Sequence, residues 1–226
     1  MAYTPLPSLI DKQDYFEIIR DQIAVILAEE SANQQALAIA AGEDPELWRL
    51  DVYTERSNPW EKYLNQVDAF PIVNVWVDNL QFDMSKGNPI ERQMSNTVFN
   101  IDMYGYGRSA DNPAGGHFAG DELSAKETQR ALRLVRNILM SAQNTYLQLQ
   151  GVVGRRWPQS INFFQPQIEV DSVQHVQGAR LALDVQHNEL SPQAESVILE
   201  GIDIEVKRAE DGQVLAEATY DYPITP

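Results

Sequence analysis

Apolar residues recur at three- and four-residue steps near the start of the chain. Phe16, Ile19, Ile23, Ile26 and Leu27 form the stripe of an amphipathic helix from about Asp14 to Ala41. Asp14 and Glu17 have the spacing of a capping box, and Gly42 suits a C-cap. Residues 43–69 lose this period, although Asp44-Pro45 can open a short helix through Trp48 and Ser57-Asn58-Pro59 reads as a turn. Trp48, Trp60 and Tyr63 give the segment apolar anchors, so it is expected to be ordered.

The period then changes to two. Val73, Val75 and Val77 share one face of a strand, Leu80 to Met84 is a weaker strand, and Gly87-Asn88-Pro89 marks a turn. Phe99, Ile101 and Met103 alternate with polar residues in a strand over Thr97 to Tyr106. A second long helix is predicted from Asp121 to Leu149, with Ser124 and Glu127 as its capping box and an apolar stripe through Ala131, Val135, Ile138, Leu139, Ala142, Tyr146 and Leu149. Past a link containing Arg155-Arg156-Trp157-Pro158, strands are expected at Ile168 to Val176 and Ala179 to His187. A hairpin of Ile198 to Val206 and Val214 to Tyr220, turning at Asp211-Gly212, follows. The order helix, strands, helix, strands predicts an α+β fold: a mainly antiparallel sheet with both long helices packed on one face. One domain over residues 1–226 is expected, with an inserted segment at 43–69 and a C-terminal β extension at 191–226.

Composition narrows the function classes. Thirty-three acidic residues against 17 Lys and Arg give a net charge of -16, which opposes binding to DNA phosphates or an anionic membrane. There is no cysteine, so disulfides, thiolate metal sites and cysteine nucleophiles are excluded. The amino terminus lacks a secretory pattern and no stretch has the length of a membrane span, so a soluble intracellular protein is expected.

Chemistry finds little support. Gly105-Tyr106-Gly107 with Gly115-Gly116 lacks the spacing and the Lys-Ser/Thr of a phosphate loop, and reads as a strand exit where glycine takes turn conformations. His187 and Glu189 can share a strand face with His175 nearby, but a polar strand edge explains them better than a metal site. Asp203 and Glu205 alternate with Ile202, Ile204 and Val206 as in any half-exposed sheet, and no serine stands in a nucleophile elbow. The expectation is no enzyme, no catalytic residues, no metal and no cofactor.

Charge placement is more specific. Lys126, Arg130, Arg133 and Arg136 fall opposite the apolar stripe of the second helix and form a basic face. Residues 167–226 carry twelve acids against Arg180, Lys207 and Arg208. A solvated helix face explains the basic stripe; so does head-to-tail self-association against an acidic neighbour, which can close a ring.

The order of elements resembles the tail-terminator family of long-tailed bacteriophages. The resemblance rests on the leading helix, the Pro-led strand Phe70-Pro71-Ile72-Val73-Asn74-Val75-Trp76-Val77-Asp78, and the strand Val98-Phe99-Asn100-Ile101-Asp102-Met103-Tyr104-Gly105 before the second helix. The closing strand Ala179-Arg180-Leu181-Ala182-Leu183-Asp184-Val185 completes it, over residues 14–187. It implies a structural virion protein assembled in the host cytoplasm, with no membrane partner. This protein would cap the tail tube as a hexameric ring, end tube polymerisation and dock the head-tail connector. Its partners would be its own copies, the tail tube protein, the connector or neck protein, and a sheath protein if the tail contracts. DNA would pass through the lumen without specific binding. Lys126, Arg130, Arg133 and Arg136 are the first expected subunit contacts, and Arg155 and Arg156 the second. The alternatives are a neck or tail-completion protein and, from another class, a small-molecule-binding or hydrolytic domain.

Overall fold

The first helix forms as α1, Tyr15–Ala41, in a computed structural model that describes residues 11–65, 70–83, 92–111, 116–166, 174–190, 201–207 and 214–221. Its ends follow from its sequence. The Asp14 side chain accepts from the Glu17 backbone, and the Glu17 carboxylate accepts from Asp14 N–H at 3.0 Å. The next two free N–H groups, of Tyr15 and Phe16, donate to the Glu189 carboxylate at 3.0 and 2.9 Å. Gly42 ends the helix in the left-handed region at φ 73°.

Five strands make the main sheet: β1 (Asp51–Thr54), β2 (Ile72–Phe82), β3 (Arg92–Arg108), β6 (Val153–Phe164) and β7 (Gln174–Leu190). Their order is β1-β2-β3-β7-β6, with β1 parallel to β2 and the remaining pairs antiparallel. A two-residue pair, β4 (Ala110–Asp111) with β5 (His117–Phe118), precedes helix α2, Gly120–Met140. The molecule is therefore α+β, with a mixed sheet and two long helices.

The alternating residues do what their period predicts. Val73 and Val75, Phe99, Ile101 and Met103, and Leu181, Leu183 and Val185 point to one side of the sheet. There they form a single cluster with Ile19, Ile23, Ile26 and Leu27 of α1 and Ala131, Val135, Ile138 and Leu139 of α2. Both helices thus lie on one face, and each fully buried side chain of this size contributes roughly 1.5–3 kcal/mol.

Several boundaries differ from the sequence reading. Leu80 continues β2 past a bulge at Asp78, and the strands expected at 168–176 and 179–187 are one strand, β7, with 167–173 outside the described residues. The segment from 43 supplies a 3-10 turn at Pro45–Trp48, capped by the Asp44 side chain, and the edge strand β1. A second 3-10 turn, Pro59–Asn65, carries Tyr63, whose hydroxyl reaches the carbonyls of Phe70 and Tyr104, each at 2.8 Å. The expected turn at 87–89 lies outside the described residues.

Helix α2 is shorter at its end than its apolar stripe suggests. Ser141 Oγ and Asn144 Nδ2 both donate to the Ile138 carbonyl, at 2.8 and 2.9 Å, and turn the chain out of the helix. Leu147 is still buried, but at φ 50°. Ser124 is no cap: it lies inside α2, donating to the Asp121 carbonyl at 2.9 Å.

The glycines of β3 also have a different role from the one expected. Neither Gly105 nor Gly107 has a positive φ; both are regular strand residues under α2. A Cβ on Gly105 would lie 2.5 Å from the Ser124 carbonyl oxygen and the Thr128 amide nitrogen, and one on Gly107 would strike the Gly120 carbonyl. The helix backbone rests directly on the strand. The Thr128 hydroxyl, shared between the carbonyls of Ser124 (2.8 Å) and Gln177 (2.9 Å), ties it to β7 as well.

The chain divides into two compact units, Met1–Ser191 and Pro192–Pro226. The second contains the expected hairpin as β8 (Gly201–Lys207) paired antiparallel with β9 (Val214–Asp221), its turn outside the described residues.

Because the obstacle at Gly105 is backbone, Gly105→Ala is expected to cost about 2–3 kcal/mol by forcing α2 off the sheet. At Gly154 of β6 the nearest atom to an added Cβ is 3.5 Å away, so Gly154→Ala is expected to change stability by less than about 0.5 kcal/mol. Denaturant unfolding of the two variants checks this. Equal effects would mean that the helix does not rest on Gly105.

Candidate functional site

The basic residues of α2 lie where the helical period puts them, on the side away from Ala131 and Val135. They are not equivalent. Lys126 pairs with Glu122 one turn earlier. Arg130 pairs with Glu127, its side chain is only 17% exposed, and its Nε and Nη1 are buried without a protein partner. Arg133 and Arg136 are exposed and form no ion pair among the described residues. Lys126 is exposed but paired, so the part of the face that is both exposed and without an ion pair among the described residues is its carboxyl-terminal half.

Arg155 and Arg156 lie on β6, not on a link. In an antiparallel ladder each takes the side of its partner, Gln186 or Val185, so the two point to opposite faces. Arg156 turns to the helix side and caps the end of α2. It donates to the carbonyls of Asn144 at 2.6 Å and Ser141 at 3.1 Å, and burial lowers its pKa. Arg155 stacks on Trp157 at 4.8 Å, and its charge partly offsets the burial that raises the Asp184 carboxyl pKa. Arg156 is thus committed to the fold, while Arg155 remains at the surface.

No sequence signal marked the polar group on the sheet face opposite the helices, beside the part where the Pro59–Asn65 turn packs Tyr63 against Ile72 and Tyr104. Asp102 of β3 and Arg180 of β7 are register partners there. Arg180 donates Nε and Nη2 to the two Asp102 oxygens at 2.7 and 2.9 Å, and Trp76 Nε1 donates to the same carboxylate at 3.0 Å. The guanidinium lies over the Trp76 ring at 4.8 Å and the Phe164 ring at 5.6 Å. Beside this group a cleft of about 300 Å³ opens, lined also by Glu55, Arg56, Ser57, Asn74 and Tyr104. Burial, with the negative charge of Asp102, pushes the Tyr104 hydroxyl pKa up.

At the other end of β7, His187 comes together with Ser95, Thr97 and Glu189. His187 Nε2 lies 2.8 Å from Thr97 Oγ1 and 3.3 Å from Ser95 Oγ, and Nδ1 lies 3.4 Å from Glu189 Oε1. Ser95, Thr97 and His187 are buried at 0–1% exposure, so the group has no route to a substrate. Its work is structural, since Glu189 is the carboxylate that receives the N-terminal N–H groups of α1. His175 is on the same strand, against Gly120, and among the described residues no three His, Asp or Glu are placed to share a metal ion. No helix among them is long and apolar enough to cross a membrane.

No protein-family model matches this chain, and no curated protein matches it.

Burial lowers the His187 pKa from 6.5 to about 4. The unfolded chain therefore binds a proton that the folded one does not, and stability should fall as pH drops from 6.5 toward 4, by about 1 kcal/mol per pH unit. Glu189, whose pKa burial raises, contributes an opposite slope just above its ordinary value. The comparison of wild type with His187→Gln isolates the imidazole. Urea unfolding at several values above about pH 5 should show the two stability curves converging as pH falls. Parallel curves would mean that His187 does not carry the slope.

Proposed function

We propose that this chain is a structural virion protein, a phage tail terminator. Copies of it close into a ring on the last ring of the tail tube, end tube polymerisation by occupying the surface the next tube ring would use, and offer the head connector a place to dock. The observation that carries the reading is the outer face of α2. In a chain of net charge -16, it presents two exposed arginines, Arg133 and Arg136, with no ion pair among the described residues. Guanidinium groups so placed suit carboxylates on a neighbouring copy. A contact between two different surfaces of the same chain repeats around an axis and closes a ring. The α+β architecture and the order of its elements agree with the resemblance to the tail-terminator family.

The residues to reverse are Arg133 and Arg136. Arg130 is a poor choice, because a carboxylate in its place would sit beside Glu127 in a largely buried position. In Arg133→Glu/Arg136→Glu the melting temperature is expected to stay near that of wild type. Light scattering and negative-stain images should lose the closed rings, and purified tail tubes should no longer be capped. Unchanged rings and capping in the double variant would sink the assignment. Binding to tail-less heads in preference to tubes would favour a neck protein instead.

A further inference from the structure

We infer that the cleft on the sheet face opposite the helices binds a small organic carboxylate, with Arg56 as its ion-pairing residue and Trp76 and Tyr104 in its lining. The inference does not rest on the ring.

The main chain of Arg56 is held in place. The buried Asn74 amide binds this backbone at both ends: Nδ2 donates to the Arg56 carbonyl at 2.9 Å, and Oδ1 accepts from its N–H at 3.1 Å. Glu55, just before it, adopts φ 52°, uncommon for a residue with a side chain. Its carboxylate turns back to accept from Val77 N–H at 3.1 Å and faces Arg20 at 3.4 Å, leaving Arg56 without an acid beside it. The Arg56 guanidinium stacks on Tyr53 at 4.8 Å and forms no ion pair among the described residues. Stacking on Tyr53 reduces the entropy that the guanidinium loses on binding an anion.

The charge balance sets the ligand's valence. Asp102 is matched by Arg180, and Glu55 shares Arg20 with the closer Asp21, so Arg56 is the lining cation without an ion pair among the described residues. A monoanion that pairs with Arg56 adds the least negative charge beside Glu55 and Asp102. A phosphate dianion would leave an excess charge close to the buried Asp102 carboxylate. The planar fork of a guanidinium also matches a carboxylate. At about 300 Å³ the cleft is at the small end of ligand sites.

The full chain has four tryptophans, so the Trp76 indole N–H is easily followed by NMR once Trp76→Phe identifies it. The probes are benzoate, its neutral counterpart benzamide, and inorganic phosphate. Benzoate is expected to move the Trp76 signal saturably, benzamide to leave it in place, and phosphate to bind at least about tenfold more weakly. Arg56→Gln, whose backbone bonds to Asn74 are retained, should weaken benzoate by at least about tenfold at unchanged melting temperature. Arg133→Gln should bind it as wild type does. The inference is overturned by any of these results: no shift with benzoate, an equal response to benzamide or phosphate, undiminished binding by Arg56→Gln, or equal weakening in Arg133→Gln.

Discussion

The ladder between β3 and β7 constrains everything else in the larger unit. It runs from Arg92 opposite Leu190 to Arg108 opposite Gln174 without a break, whereas the ladders on either side are interrupted by bulges. In so long a register a slip of one residue would turn every side chain to the wrong face. The ladder therefore decides at once that Phe99 and Leu183 meet the helices and that Asp102 and Arg180 meet each other on the opposite side. It also places His187 beside Ser95, and Glu189 under the first turn of α1.

The two faces of this sheet are built on different physics. The helix-covered face is mainly apolar, with the buried His187 group at one end, and the approach of α2 to β3 requires the absence of side chains at Gly105 and Gly107. The opposite face buries a small aromatic cluster under the Pro59–Asn65 turn and, beside it, keeps charge in place through paired groups. A carboxylate as buried as Asp102, with three donors on it, is stable only while Arg180 and Trp76 stay where the register puts them. Rigidity in the apolar layer thus fixes the geometry of the polar one.

Much of the apolar layer was legible in the chain. The Asp14–Glu17 box, the Gly42 cap and the alternation in β2, β3 and β7 each describe a local period, and local periods survive folding. What escaped was non-local or two-sided. The end of α2 was invisible because Leu147 and Leu149 preserve the apolar spacing, while Ser141 and Asn144 redirect the backbone. Strand β6 shows no alternation because, as an edge strand, most of it is exposed on both faces. Gly105 and Gly107 read as turn residues because sequence cannot distinguish a glycine needed for its backbone angles from one needed for its missing Cβ. The cleft joins residues from Glu55 to Arg180, and its Asp102–Arg180 pair, 78 positions apart, is brought together by the register alone. Of the six arginines and lysines marked for subunit contact, the structure separates Arg156, which closes a helix, from Arg133 and Arg136, which remain open to a partner.

The central ladder has a consequence for synthesis. The partner of β3 lies more than sixty residues downstream and is among the last parts of the larger unit to be made. Until it emerges, β3 offers a long unpaired edge, α1 lacks the carboxylate that receives its first N–H groups, and neither helix has a finished surface to rest on. The nascent chain must carry this open edge of β3 until Gln174–Leu190 has been made, a period in which such edges recruit one another. Folding is therefore a late, concerted event gated by the arrival of β7, and protection of the growing chain matters more here than for a fold built from neighbouring hairpins.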